Sequence, residues 1–138
     1  MHVLLILRVP SSPAAAATAR HAVGGLRHYL DREVRENAEL LVTELVTNSV
    51  RHADLSEMDH IEIKLEASGE AVLVEVADCG QGFRGRQPGP SARAAQAAQP
   101  ERTSGWGLYL VDHIASRWGI VEDEETRVWF ELRPGARV

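Results

Sequence analysis

The sequence is poor in several features that would point to particular protein classes. Its 138 residues include one cysteine, Cys79, so no internal disulfide can form and a reducing compartment is expected. The apolar run at residues 3–7 is far too short to span a bilayer and lacks the basic start of a signal peptide. We therefore expect a cytoplasmic protein that does not contact membranes.

Positive charge is also scarce. The chain has 15 Lys and Arg against 20 Asp and Glu, a formal net charge of -5, and Lys64 is its only lysine. This balance argues against nucleic acid as a direct partner. A hydrophobic content of 44% and a charged content of 25% are typical of a globular chain. The length fits a single domain over residues 1–138.

The order of predicted elements indicates the fold class. Apolar patterns predict a strand at 3–9, helices at 14–30 and from 31 to 53–54, and a hairpin of strands at 61–67 and 72–78. A helix at 108–117 and a closing hairpin at 119–122 and 127–132 follow. Such elements pack as an α+β, two-layer α/β sandwich, with helices on one face of a mixed, mostly antiparallel sheet.

The central helix carries an unusual polar face. At about 100° per residue, five residues share one side: Asn37, Leu41, Glu44, Asn48 and His52. A separate, mostly apolar face is the ordinary core stripe. It contains Ala38, Val42, Leu45, Val46, Ser49, Val50 and Ala53. For one helix alone, a solvated polar face is the simpler explanation, but two later stretches argue against it.

The first of these stretches begins with Asp78. Strand alternation places this carboxylate on the same side as three valines, Val72, Val74 and Val76, toward whatever covers the sheet. A carboxylate there needs a partner, because burying it unpaired is expensive. Gly80 and Gly82 follow, and then a stretch at 84–104 rich in Gly, Pro, Ala and Gln. We predict a mobile, functional loop there, with a disordered linker as the alternative.

The second stretch, Ser104-Gly105-Trp106-Gly107, precedes the predicted helix at 108. Glycines before a helix start leave N–H groups at the positive end of the helix dipole, which suits phosphate. One such Gly-x-Gly is weak evidence by itself.

Together the three stretches resemble the GHKL ATP-binding superfamily, which includes gyrase, histidine kinases and heat-shock chaperones and has the Bergerat fold. Residues 44–52 look like its N box, residues 78–82 its first glycine box and residues 105–108 its second, in the expected order. The resemblance covers about residues 14–132. The short form, with Glu-Leu-Val-Thr-Asn and a closing Trp-Phe-Glu-Leu, is similar to bacterial anti-sigma factor serine kinases.

The resemblance implies a role for each motif residue. Asp78 would accept a hydrogen bond from the adenine amino group, Asn48 would ligate Mg²⁺ on the phosphates, and Glu44 would act as general base. The stretch at 84–104 would be the ATP lid, less ordered without nucleotide than with it. The remaining implied ATP-binding residues are His52, Gly80, Gly82, Gly105, Trp106, Gly107 and Leu108. Trp106 stands where Arg or Lys is frequent, and His52 would bind phosphate or simply pack.

The leading functional hypothesis is therefore a protein kinase that phosphorylates a serine on an anti-sigma factor antagonist of the STAS type and holds a sigma factor when free. The alternative is a non-catalytic ATP sensor that binds partners without transferring phosphate. Glu44 favours the first and Trp106 the second. A histidine kinase fragment is disfavoured, because the ATP-binding fold uses nearly all of the chain. We also expect a homodimer, since the run at 3–7 is apolar on both faces.

Overall fold

The computed structural model describes residues 2–52, 59–78, 103–122 and 125–135. Within them lie three helices and one five-stranded sheet, which confirms the predicted α+β sandwich. In chain order the elements are β1 (His2–Pro10), α1 (Ala15–Gly24), α2 (Arg32–His52), β2 (His60–Ser68), β3 (Ala71–Asp78), α3 (Thr103–Ile114), β4 (Arg117–Glu122) and β5 (Thr126–Leu132). No helix in these ranges is long and apolar enough to cross a membrane.

The strand order in the sheet is β1-β2-β3-β5-β4, and every neighbouring pair is antiparallel. The predicted hairpin of β2 and β3 is confirmed, and Gly69 in its turn has a φ of 63°, a conformation that glycine adopts without strain. Because β3 pairs with β5, Asp78 at the end of β3 lies directly opposite Thr126 at the start of β5. Helix α3 and the edge strand β4 come between these two strands in the sequence.

The helices cover one face of the sheet. Helix α2 is central: it packs against α1 and α3 and lies over β3 and β5, while α1 lies over β1 and β2. Alternate strand residues point into this layer and are fully buried, as Ile63, Val74 and Phe130 illustrate. The opposite face carries Glu62, Lys64 and Glu66 of β2, so the predicted buried and wet faces of that strand are confirmed.

Two helix boundaries differ from the prediction. Helix α1 ends at Gly24 instead of residue 30, and a series of turns follows it. Helix α3 begins at Thr103 instead of Leu108 and ends at Ile114, so Trp118 lies in β4, opposite Phe130. The early end of α3 has a non-local cause. The N–H of Ser116 donates to the carbonyl of Glu131 at 2.8 Å, and this bond directs the chain from the helix into the sheet.

The close approach of Gly119 and Trp129 on the uncovered face of the sheet generates a stability prediction. A Cβ added to Gly119 would lie 2.8 Å from Nε1 of Trp129. We expect Gly119→Ala to lower the free energy of unfolding by about 1–3 kcal/mol, as overpacking usually does. In a Trp129→Leu background the same change should have little effect, because the indole is gone. Urea unfolding of the four proteins measures both effects, and an equal loss in both backgrounds would contradict this explanation.

Candidate functional site

Helix α2 begins at a defined place, which fixes the orientation of its later turns. Asp31 caps it: Oδ2 accepts the N–H of Glu33 at 3.2 Å, and the Asp31 carbonyl accepts the N–H of Arg35 at 2.9 Å. One turn on, Arg35 pairs with Glu39 at 3.1 Å. The start of the helix near Asp31 was therefore predicted correctly.

The buried stripe of α2 is wider than predicted. Six apolar side chains of the helix are buried: Val34, Ala38, Leu41, Val42, Leu45 and Val46. Leu41 was assigned to the polar face, and that assignment is wrong, because its side chain is 0% exposed and packs in the core. Leu41 lies at the border between the two faces, where a large apolar side chain turns toward the core because burial favours it.

Glu44 and Asn48 lie beside this stripe and are half-buried. One helical turn separates them, so their Cα atoms are about 6 Å apart along the axis. His52 is the last residue of α2, and its side chain lies outside the described residues. The structure therefore keeps the predicted Glu44 and Asn48 next to each other on one accessible edge of the helix.

Asp78 ends strand β3 and is buried at 5% exposure, on the same side as Val72, Val74 and Val76. The predicted direction of this carboxylate, toward the helical layer, is confirmed. Oγ of Ser49 on α2 lies 3.4 Å from Asp78 Oδ2 and donates to it, at the long end of hydrogen-bond distances. Ser49 follows Asn48 directly, so this contact places the turn of α2 that carries Asn48 next to the end of β3, with Glu44 one turn earlier.

Thr126 lies beside the candidate site, and the sequence reasoning did not identify it. It is the cross-strand partner of Asp78 in β5 and is 2% exposed, on the helix-facing side. A hydroxyl-bearing side chain thus lies beside the buried carboxylate. Extending the alternation of Val128 and Phe130 back by one step would have identified its buried side, although not its pairing with Asp78.

The second glycine box lies inside α3 instead of before it, so that part of the prediction is wrong. Gly105 falls in the first turn of the helix, where backbone N–H groups have no intrahelical acceptor, and Trp106 and Gly107 follow directly. The side chains of residues 103–107 lie outside the described residues. Leu108 is 2% exposed and packs in the core. Its contact with nucleotide stays a prediction.

Several other predicted features lie outside the described residues. They are Gly80, Gly82 and the part of the lid at 84–102. Thr103 and Ser104, the last two residues of the predicted lid, belong to α3. In the described ranges, no group of three or more His, Cys, Asp or Glu side chains could hold a metal ion.

Comparison with known proteins shows which family the chain belongs to. The sequence profile of the histidine kinase-like ATPase domain matches residues 9–132. The chain belongs to this family. Membership implies ATP binding, and the family match covers every element from the end of β1 to the end of β5. The resemblance to the superfamily is thus confirmed over residues 9–132.

The curated relatives that match this chain are serine-protein kinases. The chain is 28% identical over 135 residues to the serine-protein kinase RsbW of Listeria innocua, covering 93% of this chain and 85% of the relative. RsbW of Listeria monocytogenes serovar 1/2a matches to the same extent. A solved structure of the RsbU and RsbW domains of Rv1364c from Mycobacterium tuberculosis superposes with a TM-score of 0.68 at 18% identity. That match covers 95% of this chain and 32% of the other, and it supports the fold alone.

The contact between Ser49 and Asp78 generates a prediction about adenine recognition. Asp78→Asn places an amide donor where two acceptor oxygens are wanted, so ATP affinity should fall by about tenfold to a hundredfold, the value of a charged hydrogen bond. Ser49→Ala removes only the long 3.4 Å donor and should have a smaller effect. Calorimetric titration with ATP measures both variants, after thermal melting has shown that both are folded. Unchanged ATP affinity in Asp78→Asn would refute the role of Asp78.

Proposed function

We propose that the chain is an ATP-dependent protein serine kinase that phosphorylates a serine of an anti-sigma factor antagonist. Two lines of argument support this. The relatives that match over most of their length are serine-protein kinases. The described part of the site also offers a carboxylate, Glu44, one turn before Asn48 on a half-buried helix edge.

The position of Glu44 is the observation that carries the proposal. Ser49 anchors α2 to the buried Asp78, and Glu44 precedes Ser49 by five residues, or about 7.5 Å along the helix axis. A nucleotide with its base at Asp78 would therefore extend toward the part of α2 where Glu44 reaches solvent. An acceptor hydroxyl approaching from solvent would meet that carboxylate.

The chemistry assigned to Glu44 is general-base catalysis. Its carboxylate would accept the proton of the serine hydroxyl while that oxygen bonds to the γ-phosphorus and the bond to the β–γ bridging oxygen breaks. Phosphoryl transfer depends mainly on positioning and charge stabilisation, so a small site suffices.

Asn48 would hold Mg²⁺ through its carboxamide oxygen. The donor set fits this ion, because Mg²⁺ prefers oxygen ligands, takes few of them from protein and keeps water and substrate phosphates as the others. Asn48 is half-buried, so its carboxamide is accessible from the side of α2 that carries Glu44. Bound there, the ion would neutralise charge on the phosphates.

A non-catalytic ATP sensor is the second candidate, and Trp106 is the observation that favours it. In relatives of this superfamily, Arg or Lys is frequent at the matching position, and an indole supplies no positive charge for phosphate. In this alternative the chain binds ATP and a partner protein without transferring phosphate.

The proposed partners follow from the kinase hypothesis. They are an antagonist of the STAS type, which carries the acceptor serine, and a sigma factor that the free kinase holds. RsbW is the name of the relatives that match, and the partner proposal rests on that similarity.

Glu44→Gln tests the kinase hypothesis directly. The variant keeps the shape and hydrogen-bonding reach of the side chain but removes the base, so phosphorylation should fall by roughly 10²-fold or more. ATP affinity should not change. Glu36→Gln is the matched control, since Glu36 lies two turns earlier on α2, exposed and paired with Arg32 at 3.0 Å. Transfer of labelled phosphate from ATP to candidate antagonists provides the readout.

The outcomes separate the two candidates. A sensor would give no transfer in the wild type or in either variant, while all three proteins bind the partner equally. Phosphorylation at the wild-type rate by Glu44→Gln would refute the assigned role of Glu44.

We also propose a homodimer that uses the face of the sheet without helices. On edge strand β1, Val3, Leu5 and Leu7 pack toward the core, whereas Leu4 and Ile6 point the other way and are 52% and 55% exposed. The same face has a groove of about 450 Å³ whose lining is mixed: Leu73, Val121 and Trp129 with the charged Lys64, Glu66, Glu75 and Arg117. A second copy could cover these apolar side chains.

The oligomeric state tests this proposal. Light scattering at tens of micromolar should give twice the 15.2 kDa mass of one chain. Leu4→Arg should shift the protein toward the single-chain mass, because it places a charge in the contact. Leu40→Arg is the control, since Leu40 is 40% exposed but lies on α2 in the helical layer. A single-chain mass for the wild type would exclude the dimer.

A further inference from the structure

Helix α3 packs against the core through apolar side chains. In the part of the helix whose side chains are described, residues 108–114, Leu108 and Val111 are buried, and Leu110 and Ile114 are partly buried against the core. Apolar contacts of this kind are not directional, so a specific polar contact adds to what fixes the tilt of the helix.

A polar contact supplements this packing. Nε1 of Trp118 on β4 donates to Oδ1 of Asp112 on α3 at 2.9 Å, and the bond is partly buried. The indole is itself fixed, because Trp118 lies opposite Phe130 in the register and packs against the core. The bond therefore joins the last turn of the helix to the edge strand of the sheet.

Small changes in the tilt of α3 would matter at its N-terminal end. Gly105 lies seven residues before Asp112, or about 10 Å along the axis. A rotation of about 10° around Asp112 would move the glycine turns by about 2 Å, whereas binding constellations need placement to about 0.5 Å. The phosphate end of the site is thus sensitive to whatever fixes the tilt.

We propose that the hydrogen bond between Trp118 and Asp112 positions α3 so that its glycine-containing N-terminal turns bind the phosphates of ATP. The proposal rests on the ATP-binding function proposed above. Trp118 and Asp112 are positioning residues: the bond acts through α3 and leaves the adenine end, at Asp78 and Ser49, unchanged. Loss of this hydrogen bond should therefore weaken the binding of ligands that carry phosphates and not the binding of adenosine.

Trp118→Phe tests the proposal, because it removes the indole N–H and keeps an aromatic ring against the core. Affinity for ATP and ADP should fall by about threefold to tenfold, the value of one lost hydrogen bond, while affinity for adenosine stays within about twofold. Trp129→Phe is the matched control, since Trp129 lies on the opposite face of the sheet and should leave all three affinities unchanged. Calorimetry with ATP, ADP and adenosine provides the readout.

Variants of Asp112 complete the design. Asp112→Asn keeps an acceptor oxygen for the indole and should bind ATP within about twofold of the wild type, whereas Asp112→Ala should match Trp118→Phe. The double variant Trp118→Phe with Asp112→Ala should be no worse than either single change, because both remove the same bond. If thermal melting shows that Trp118→Phe is not folded, Asp112→Ala replaces it as the test variant.

Either of two results would overturn this inference and leave the proposed function standing. One is unchanged ATP affinity in both Trp118→Phe and Asp112→Ala, and the other is an equal loss of affinity for adenosine and for ATP. A wild-type protein that binds no nucleotide would overturn the proposed function, and this inference with it.

Discussion

A buried carboxylate at the end of an apolar row is the constraint on which the arrangement of this domain depends. Asp78 continues the row of Val72, Val74 and Val76 into the space beneath the helices. Since an unpaired charge there would be strongly destabilising, neighbouring elements must present polar groups to it. Ser49 of α2 does so, and Thr126 of β5 lies beside it. The apolar stripe of α2 and this polar contact together fix the helix over β3, with Glu44 and Asn48 along its open edge.

The two ends of the proposed nucleotide site are built differently. The adenine end joins a central strand to the longest helix, and both lie deep in the core. The phosphate end would depend on α3, which packs through Leu108 and Val111 near the edge strand β4. A nucleotide bound at both ends would therefore connect the centre of the sheet to a helix near its edge.

Local sequence patterns predicted much of the fold and of the candidate site, and the predictions that were wrong have a common cause. Alternation predicted the direction of Asp78, and helical spacing predicted α2 with Glu44 and Asn48 on one edge. The spacing also predicted a last helix that runs to residue 117, whereas α3 ends at Ile114 and β4 begins at Arg117. The contact of Ser116 with Glu131 and the pairing of Asp78 with Thr126 link residues far apart in sequence. Local periodicity contains no information about such pairs.

The fixed ends of the segment between β3 and α3 have a consequence for how the length of the domain can vary. The segment between Asp78 and α3 is fixed at both ends, by the pairing of β3 with β5 on one side and by the packing of α3 on α2 on the other. Lengthening such a loop alters mainly its closure entropy, by about 0.6 kcal/mol for each doubling. Insertions between the first glycine box and α3 should thus leave the sheet register intact, and chain length there can change without refolding the core.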